Sequence, residues 1–185
     1  DGSNALTYGE KVSKLTLGNT VFVEAGTDDV IEGILSWSNP DEIPAAGTTQ
    51  AGWVFKPADS THYAELTVTA AITVAKATPV IAEKPTAGAL TYGQKLSDST
   101  LTGGKAAYQT ADGTEITGTF AWKNSSSKPT AADSQKTEYD VIFTPSDKDN
   151  YNAVDTKLTL TVNKAAQAPN MPQAAMAPAH STKKV

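Results

Sequence analysis

A nine-residue phrase occurs twice in this chain, and the duplication limits what the chain can fold into. Residues 5–13 read ALTYGEKVS and residues 89–97 read ALTYGQKLS, 84 positions later. Later landmarks recur at slightly larger offsets: Trp37 and Trp122 are 85 apart, and the offset then grows to 88. Small insertions between fixed landmarks are typical of strands of constant length joined by loops of variable length. The sequence therefore predicts two copies of one unit, which we call repeat 1 and repeat 2.

Alternating apolar and polar residues identify the strands, because successive side chains of a strand point to opposite faces. From Leu66 to Val74 the large apolar residues share one parity and the threonines share the other, and residues 154–162 repeat this pattern. The large aromatic residues lie on the apolar faces or in the adjoining turns. We predict one core per repeat, built from Trp37, Trp53, Phe55 and Tyr63 in repeat 1 and from Phe120, Trp122, Phe143 and Tyr151 in repeat 2.

Helical periodicity is nearly absent, because Thr, Gly and Pro interrupt every apolar pattern with a spacing of three and four residues. Many short strands within about 80 residues are typical of an antiparallel β-sandwich with Greek-key connections. We predict an all-β chain with one sandwich domain at residues 1–76 and another at residues 87–164. Residues 77–86 contain two prolines and are predicted to be a short linker. Residues 165–185 are predicted to be a linker to a further domain or a disordered tail.

All 15 basic residues are Lys, so the chain has no guanidinium for bidentate contacts with phosphates or guanine edges. Residues 1–78 carry four Lys against ten acidic residues, and residues 79–164 carry nine Lys against ten. The acidic first half repels nucleic acid and anionic membrane surfaces and favours a basic partner. We expect no nucleic-acid binding. We also expect no membrane insertion, because no run of about 18 apolar residues is present.

The chain has no cysteine, which excludes disulfides, thiolate metal sites and cysteine nucleophiles. Small extracellular domains of eukaryotes are usually cross-linked by disulfides. A cysteine-free chain rich in Thr, Ala, Lys and Asp instead favours an exported bacterial protein. We expect a monomeric fragment of such a protein.

Four segments of repeat 2 carry a resemblance to a known family: Leu90–Gly104, Gly118–Trp122, Tyr139–Tyr151 and Leu158–Ala165. They read LTYGQKLSDSTLTGG, GTFAW, YDVIFTPSDKDNY and LTLTVNKA. The chain resembles the tandem immunoglobulin-like, Greek-key repeats of Gram-positive cell-surface adhesin-like proteins. The resemblance implies two tandem immunoglobulin-like antiparallel β-sandwich domains in a protein on the bacterial cell surface or secreted from the cell. It also implies a role as a stalk, an adhesive segment or a binder of host proteins.

Two structural details follow from the same resemblance. Tyr63 and Tyr151 each follow an aspartate by four residues, a spacing similar to the tyrosine corner of immunoglobulin-like folds, in which the hydroxyl bonds to the main chain. Lys76 or Lys164 could form the intramolecular Lys–Asn crosslink of some adhesin domains, which requires a buried Lys, Asn and acid together.

Residues suited to catalysis are few. His62, in a turn, and His180, in the tail, are the only histidines, and no catalytic triad can be assembled from them. His62 occupies the place of Asn150 in the other repeat, which favours a role in the turn. The oxygen-rich turn at 147–150 contains Lys148, whose charge disfavours calcium. We expect no enzymatic activity, no cofactor and no metal.

The tryptophans raise an alternative, because exposed indoles stack on sugar rings. Trp37, Trp53 and Trp122 would form such a platform in a carbohydrate-binding accessory module of a secreted carbohydrate-active enzyme. Each of them, however, shares the apolar face of its strand, which favours packing in a core.

Positions at which the repeats differ are the better guide to binding, because shared positions are explained by the core. Val21–Val23 aligns with Ala106–Tyr108, which predicts that Phe22 or Tyr108 is exposed on a sheet face or edge. Acidic residues cluster in the loops of repeat 1. We predict a protein-binding surface formed by Phe22, Asp28, Asp29, Asp41, Glu42 and Tyr108.

These observations predict a non-enzymatic repeat segment that extends a bacterial surface protein. We expect it to bind a host macromolecule, such as a glycoprotein or an immunoglobulin, by protein–protein contacts. A carbohydrate-binding accessory module and a passive stalk without a ligand remain alternatives.

Overall fold

The structure, a computed structural model, describes residues 5–168 and consists largely of short β-strands. Within this range the helices are three single 3-10 turns, at Val12–Lys14, Leu96–Asp98 and Ala131–Asp133. The strands are, in chain order, β1 (Ala5–Thr7), β2 (Gly33–Trp37), β3 (Gly47–Pro57), β4 (Leu66–Ala75), β5 (Val80–Glu83), β6 (Thr86–Ala87), β7 (Leu90–Thr91), β8 (Leu101–Thr102), β9 (Lys105–Ala107), β10 (Glu115–Ile116), β11 (Gly118–Trp122), β12 (Tyr139–Pro145), β13 (Val154–Leu158) and β14 (Val162–Asn163). His180 and the predicted tail from residue 169 onward lie outside the described residues.

Repeat 1 contains a four-stranded sheet in the order β1-β4-β3-β2. Strand β1 runs parallel to β4, with Leu6 opposite Val74, whereas β2, β3 and β4 pair antiparallel. Alternation along β3 and β4 directs one set of side chains inward, as the sequence pattern predicts. The inward residues pack with the first 3-10 turn into a buried cluster of Leu6, Val12, Leu15, Ala51, Ile72 and Val74.

Repeat 2 keeps the register of these pairings, although the counterpart of β4 is divided into β13 and β14 and the sheet into two parts. Strand β7 runs parallel to β14, with Leu90 opposite Val162, the counterparts of Leu6 and Val74. Strands β11, β12 and β13 form an antiparallel sheet that corresponds to β2, β3 and β4. Residues that correspond in the sequences of the two repeats therefore also occupy corresponding positions in the strand pairs. The prediction of an all-β, sandwich-like chain is confirmed at this level.

Trp37 and Trp122 are half-buried and are held in the same way in the two repeats. The indole N–H of Trp37 donates to the carbonyl of Leu15, and that of Trp122 donates to the carbonyl of Ser99, both at 3.1 Å. Trp37 packs against the buried cluster of repeat 1. Trp122 packs against the equivalent cluster of repeat 2, which consists of Leu90, Leu96, Leu160 and Val162.

Among the described residues a second sheet is found in repeat 2, and the counterparts of its strands β5 and β6 in repeat 1 would precede residue 5. In repeat 2, strands β10, β9 and β5 form a three-stranded antiparallel sheet, and β6 pairs with β8. Within the described part of repeat 1, a single bridge between Val23 and Val30 occupies the place of this sheet. Strand β5 lies inside residues 77–86, the predicted linker. Part of that segment therefore belongs to a sheet of repeat 2.

This difference changes the number of buried clusters. Repeat 2 has a second cluster of Ala106, Ile116 and Phe143, and Ile81 of β5 packs against it. Among residues 5–168, repeat 1 has no corresponding buried cluster. Of the eight predicted core residues, two are fully buried, namely Phe55 and Phe143. The other six are half-buried: Trp37, Trp53, Tyr63, Phe120, Trp122 and Tyr151.

Gly33 and Gly118 lie beneath phenylalanine rings at equivalent positions, which gives a test of the shared packing. A Cβ at Gly118 would meet the Phe143 ring and a backbone carbonyl at 2.5 Å, and a Cβ at Gly33 would meet the Phe55 ring and a carbonyl in the same way. We expect Gly33→Ala and Gly118→Ala each to lower the free energy of unfolding by ~1–3 kcal/mol, because strand backbone cannot move aside freely. Urea denaturation measures the change. Gly18→Ala is the control, since no atom lies within 4 Å of its added Cβ, and equal losses in all three variants would contradict the argument.

Candidate functional site: the contact between the repeats

A tight turn follows β1 and determines where Tyr8 lies. The amide of Glu10 donates to the carbonyl of Thr7 at 3.0 Å, and the Glu10 carboxylate accepts the Thr7 amide at 2.9 Å. Gly9 is the third residue of this turn and has a φ of +94°, as a type II turn requires. The second copy of the phrase forms the same turn at residues 91–94. The repeated Thr-Tyr-Gly sequence thus specifies a turn that presents a tyrosine.

Tyr108 of repeat 2 contacts this turn of repeat 1. Its hydroxyl donates to the carbonyl of Tyr8 at 2.8 Å. A Cβ at Gly9 would overlap the Tyr108 hydroxyl, so this approach depends on glycine. The ring of Tyr8 also meets the ring of Tyr151 edge-on, with centroids 5.2 Å apart and planes at 88°. We call the contact formed by Tyr8, Gly9, Ala46, Tyr108, Asn150 and Tyr151 the junction.

Asn150 forms the second polar connection of the junction. Its side-chain oxygen accepts the amide of Ala46 at 2.8 Å, and its side-chain nitrogen donates to the Asp147 carboxylate at 2.9 Å. Its backbone carbonyl accepts the amide of Ala77 at 2.9 Å. Three bonds in different directions fix the position of this asparagine between the repeats.

The backbone that leaves repeat 1 is bonded to repeat 2 as soon as it enters the predicted linker. Ala77 forms a parallel bridge with Tyr151, and the amide of Asn152 donates to the Ala77 carbonyl at 2.9 Å. The side chain of Lys76 donates to the carbonyl of Lys148 at 2.6 Å. The linker therefore begins with a hydrogen-bonded segment rather than with a free hinge.

The equivalent face of repeat 2 is open within the described residues. Tyr92, the counterpart of Tyr8, is 59% exposed, and a Cβ at Gly93 would meet no atom within 4 Å. His62, the counterpart of Asn150, pairs with Asp59 at 2.7 Å in the corresponding turn of repeat 1. The chain thus contains an internal comparison for the turn at Tyr8 and Gly9 and for Asn150.

Hydrogen bonds and burial shift the pKa values of Asp147 and Tyr151 at the junction. The side-chain amide of Asn150 holds the pKa of the Asp147 carboxyl below its ordinary value of 3.8, and the charge of Lys76 acts in the same direction. Burial raises the pKa of the Tyr151 hydroxyl, and the neighbouring Tyr8 adds to this effect. At neutral pH Asp147 is therefore charged and able to accept the Asn150 amide, while Tyr151 is neutral.

The predicted protein-binding residues of repeat 1 lie in separate places. Phe22 is half-buried, and its ring stacks on Phe55 with centroids 3.7 Å apart. Asp28 and Asp29 are exposed in the turn after Phe22, and Asp28 has a φ of +59°. The structure therefore brings Phe22 and the two aspartates to one end of repeat 1.

Asp41 and Glu42 lie in another loop of repeat 1. Asp41 forms an exposed ion pair with Lys11 at 2.8 Å, and the carbonyl of Glu42 accepts the amide of Val12 at 2.9 Å. Tyr108 is half-buried in the junction, and its contact with Tyr8 is one that the sequence pattern does not reveal. In the structure Phe22 contacts Phe55, Asp41 contacts Lys11 and Tyr108 contacts Tyr8.

The strand register corrects the alignment around Phe22. Val23 bridges Val30, and Ala107 pairs with Glu115 at the equivalent place. Val23 therefore corresponds to Ala107, and the alignment of Val21–Val23 with Ala106–Tyr108 is wrong by one residue. The residues in this stretch differ too much between the repeats for their identities to fix the register.

The two tyrosine turns also differ from the predicted tyrosine corner. The backbone amide of Tyr63 donates to the carbonyl of Asp59 at 3.1 Å, and Tyr151 bonds to Asp147 in the same way at 3.2 Å. The hydroxyl of Tyr63 donates to the carboxylate of Glu24 at 3.5 Å, not to the main chain. In both turns, the aspartate and the tyrosine four residues later therefore close the turn by a hydrogen bond between their backbone groups.

Residues 5–168 were also compared with the requirements of a metal site and of a membrane-spanning helix. No three His, Asp or Glu side chains there come close enough to hold a metal ion. That range also has no helix with the length and apolar character needed to cross a bilayer. Comparison of the chain with known protein families, curated proteins and solved structures finds no match.

The duplicated glycine gives a matched test of the junction. We expect Gly9→Ala and Gly93→Ala both to destabilise the chain by ~1–2 kcal/mol, because both positions have a positive φ. Gly9→Ala should cost more than Gly93→Ala, because its methyl group also displaces the Tyr108 hydroxyl. Urea denaturation compares the losses, and the NMR signals of Tyr108 should move in Gly9→Ala alone. Equal losses with an undisturbed Tyr108 would contradict the contact.

The lowered pKa of Asp147 predicts that acid weakens the junction. A carboxyl whose pKa is lower in the folded state stabilises that state above its unfolded pKa, and the stabilisation is lost as the pH falls through the folded value. We expect the amide signal of Ala46 to shift as the pH falls below 3.8, because protonated Asp147 no longer holds Asn150 in place. The variant Asp147→Asn is the control and should show no such transition at Ala46. A transition centred above pH 3.8 would show that another group controls the contact.

Proposed function

We propose that this chain is a non-enzymatic repeat segment of a bacterial cell-surface protein. Its two tandem immunoglobulin-like domains extend the molecule and hold a binding surface for a host glycoprotein or immunoglobulin away from the cell. The observation that carries the proposal is the junction, because a spacer transmits position only if its units are held in a fixed relation. The bonds from Tyr108 to Tyr8 and from Ala46 to Asn150 supply that relation.

The strand order within each repeat supports a mechanical role. In each repeat, the strand that carries the repeated phrase pairs in parallel with the last strand, β1 with β4 and β7 with β14. When such a pair is pulled at the start of one strand and the end of the other, the strands slide along each other and their hydrogen bonds are loaded together. This geometry resists force better than one in which the bonds open one after another.

The positions of the tryptophans favour a spacer over a sugar-binding module. A stacking platform needs indole faces that a sugar ring can reach. The indoles of Trp37 and Trp122 instead bond to backbone carbonyls of their own repeats and pack against the buried clusters. The acidic first repeat, with ten acids against four Lys, supports a basic protein as the partner.

NMR relaxation of the whole chain tests the stiff connection. We expect the amides of the two repeats to report one common rotational correlation time. The double variant Tyr108→Phe and Asn150→Ala removes two polar contacts of the junction, each of which contributes about 1 kcal/mol. The repeats should then tumble with separate, shorter correlation times.

The double variant Tyr92→Phe and His62→Ala is the control. Tyr92 is 59% exposed, and His62, the counterpart of Asn150, pairs with Asp59 of its own turn, so both changes should leave the common correlation time unchanged. Independent tumbling of the repeats in the original chain would refute the proposed spacer.

A further inference from the structure

A cleft lies beside the contact between the repeats, and we call it the tyrosine cleft. Its volume is about 320 Å³, and both repeats contribute to its walls. The lining residues are Tyr8, Gly9 and Ile43 of repeat 1 and Tyr108, Thr114 and Tyr151 of repeat 2. Concave sites of this size, with aromatic walls and a few polar groups, are the usual binding sites of proteins.

Tyrosine rings form one corner of the cleft. The planes of Tyr8 and Tyr151 lie at 88° to each other, with centroids 5.2 Å apart. Tyr108 is fixed beside them by its bond to the carbonyl of Tyr8. Rings held in this way form a rigid apolar slot. A proline side chain suits such a slot, because it loses almost no rotamer entropy when it is buried.

Ile43 adds an apolar wall at a position where the repeats differ. It lines the cleft and is 49% exposed. The preceding residue, Glu42, accepts the amide of Val12, and Ser127 accepts the amide of Leu96 at the equivalent place. The counterpart of Ile43 is therefore the next residue after Ser127, an exposed lysine. An exposed isoleucine is thus found at the cleft, and a charged residue is found where the other repeat has no such contact.

The polar groups of the cleft are hydroxyls. Within residues 5–168 the hydroxyls of Tyr8 and Tyr151 form no hydrogen bond, and neither is buried. Both can donate to carbonyl groups of a ligand. A proline-rich segment offers such acceptors, because its backbone has few N–H groups and a polyproline II helix has no internal hydrogen bonds.

The same polar groups disfavour a sugar as the ligand. None of the lining residues has a carboxylate or an amide side chain that could bridge neighbouring sugar hydroxyls. The two amides nearby are already engaged: Asn150 bonds to Ala46 and Asp147, and Gln109 donates to the Tyr108 hydroxyl. Apolar walls with a few hydroxyls favour a largely apolar ligand.

The charge beside the cleft is negative. Asp41 and Glu42 directly precede Ile43, and both are exposed. Asp41 is paired with Lys11 at 2.8 Å, whereas Glu42 has no ion pair in the described part of the chain. A ligand with a basic residue next to its apolar part therefore complements this edge of the cleft.

We propose that the tyrosine cleft binds a proline-rich segment of a separate protein, in the polyproline II conformation and with a Lys or Arg beside its prolines. Prolines at every third position lie on one side of that helix, since it has three residues per turn. The inference rests on the proposed function and deepens it, because it names the kind of segment that the host protein contributes.

Peptide titration of the whole chain, followed by NMR, tests this inference. The probe is the synthetic peptide KPAAPAAP, whose prolines share one side of the helix. The comparison peptide is KPPPAAAA, which has the same composition but spreads its prolines over all sides. We expect the probe to shift the amide signals of Gly9, Ile43 and Thr114. The comparison peptide should bind about three- to tenfold more weakly, because one proline at most enters the slot.

A matched pair of variants locates the site without changing the junction. We expect Ile43→Ser to weaken binding of the probe about three- to tenfold, because it removes an apolar wall. Ile34→Ser is the control, since Ile34 is 72% exposed on β2 and does not line the cleft. Glu42→Gln should weaken binding of the probe about two- to fivefold and should not affect a peptide with Gln in place of Lys.

Four outcomes would overturn the inference. Equal binding of the two peptides would exclude the polyproline II mode, and equal effects of Ile43→Ser and Ile34→Ser would exclude the site. Shifts at the same amides with maltotriose, and none with the probe, would identify a sugar site instead. Self-association that is lost in the double variant Pro169→Ala and Pro172→Ala would identify a second copy of the chain as the occupant, since these prolines have the same spacing.

The titration can fail independently of the proposed spacer. Common tumbling of the repeats without binding of the probe would exclude the proline-rich partner and leave the spacer in place. Independent tumbling of the repeats refutes the spacer, and it is measured by relaxation without any peptide.

Discussion

The parallel pairing of the strand that carries the repeated phrase with the last strand of its repeat is the interaction on which the rest of this structure depends. It places Leu6 opposite Val74 and Leu90 opposite Val162, and these residues form the centre of one buried cluster in each repeat. The same pairing anchors the turn that follows the first strand. In repeat 1 that turn places Tyr8 in contact with repeat 2. The same strand pairing therefore positions both the buried cluster and the junction.

The same turn lies in two different environments in the described structure. Tyr8 and Tyr92 follow equivalent strands and precede glycines of similar φ, yet one of them is covered and the other is exposed. The local sequence therefore fixes the turn, while the neighbouring repeat decides whether the turn becomes a contact. The same holds for Asn150, which reaches Ala46, and for its counterpart His62, which pairs with the aspartate of its own turn.

Within the described residues, the second sheet belongs to repeat 2. In repeat 2 the strand edge is covered, and the cross-strand pair of Glu83 and Lys105 suits an exposed position. In repeat 1 Val21 stands at the place of this lysine and is 69% exposed.

The sequence by itself determined the repeats, the parity of the strands and the inward position of Phe55 and Phe143. These features are local, because a period of two and a Thr-Tyr-Gly turn are set by neighbouring residues. The tertiary structure alone decided that Tyr108 bonds to Tyr8, that Asn150 bonds to Ala46 and that residues 80–83 form a strand. Two prolines suggested a linker there, but the apolar residues between them pair with β9, a partner more than twenty positions away. Contacts between residues distant in sequence depend on how the folded strands and turns pack against each other. A local sequence pattern does not contain that information.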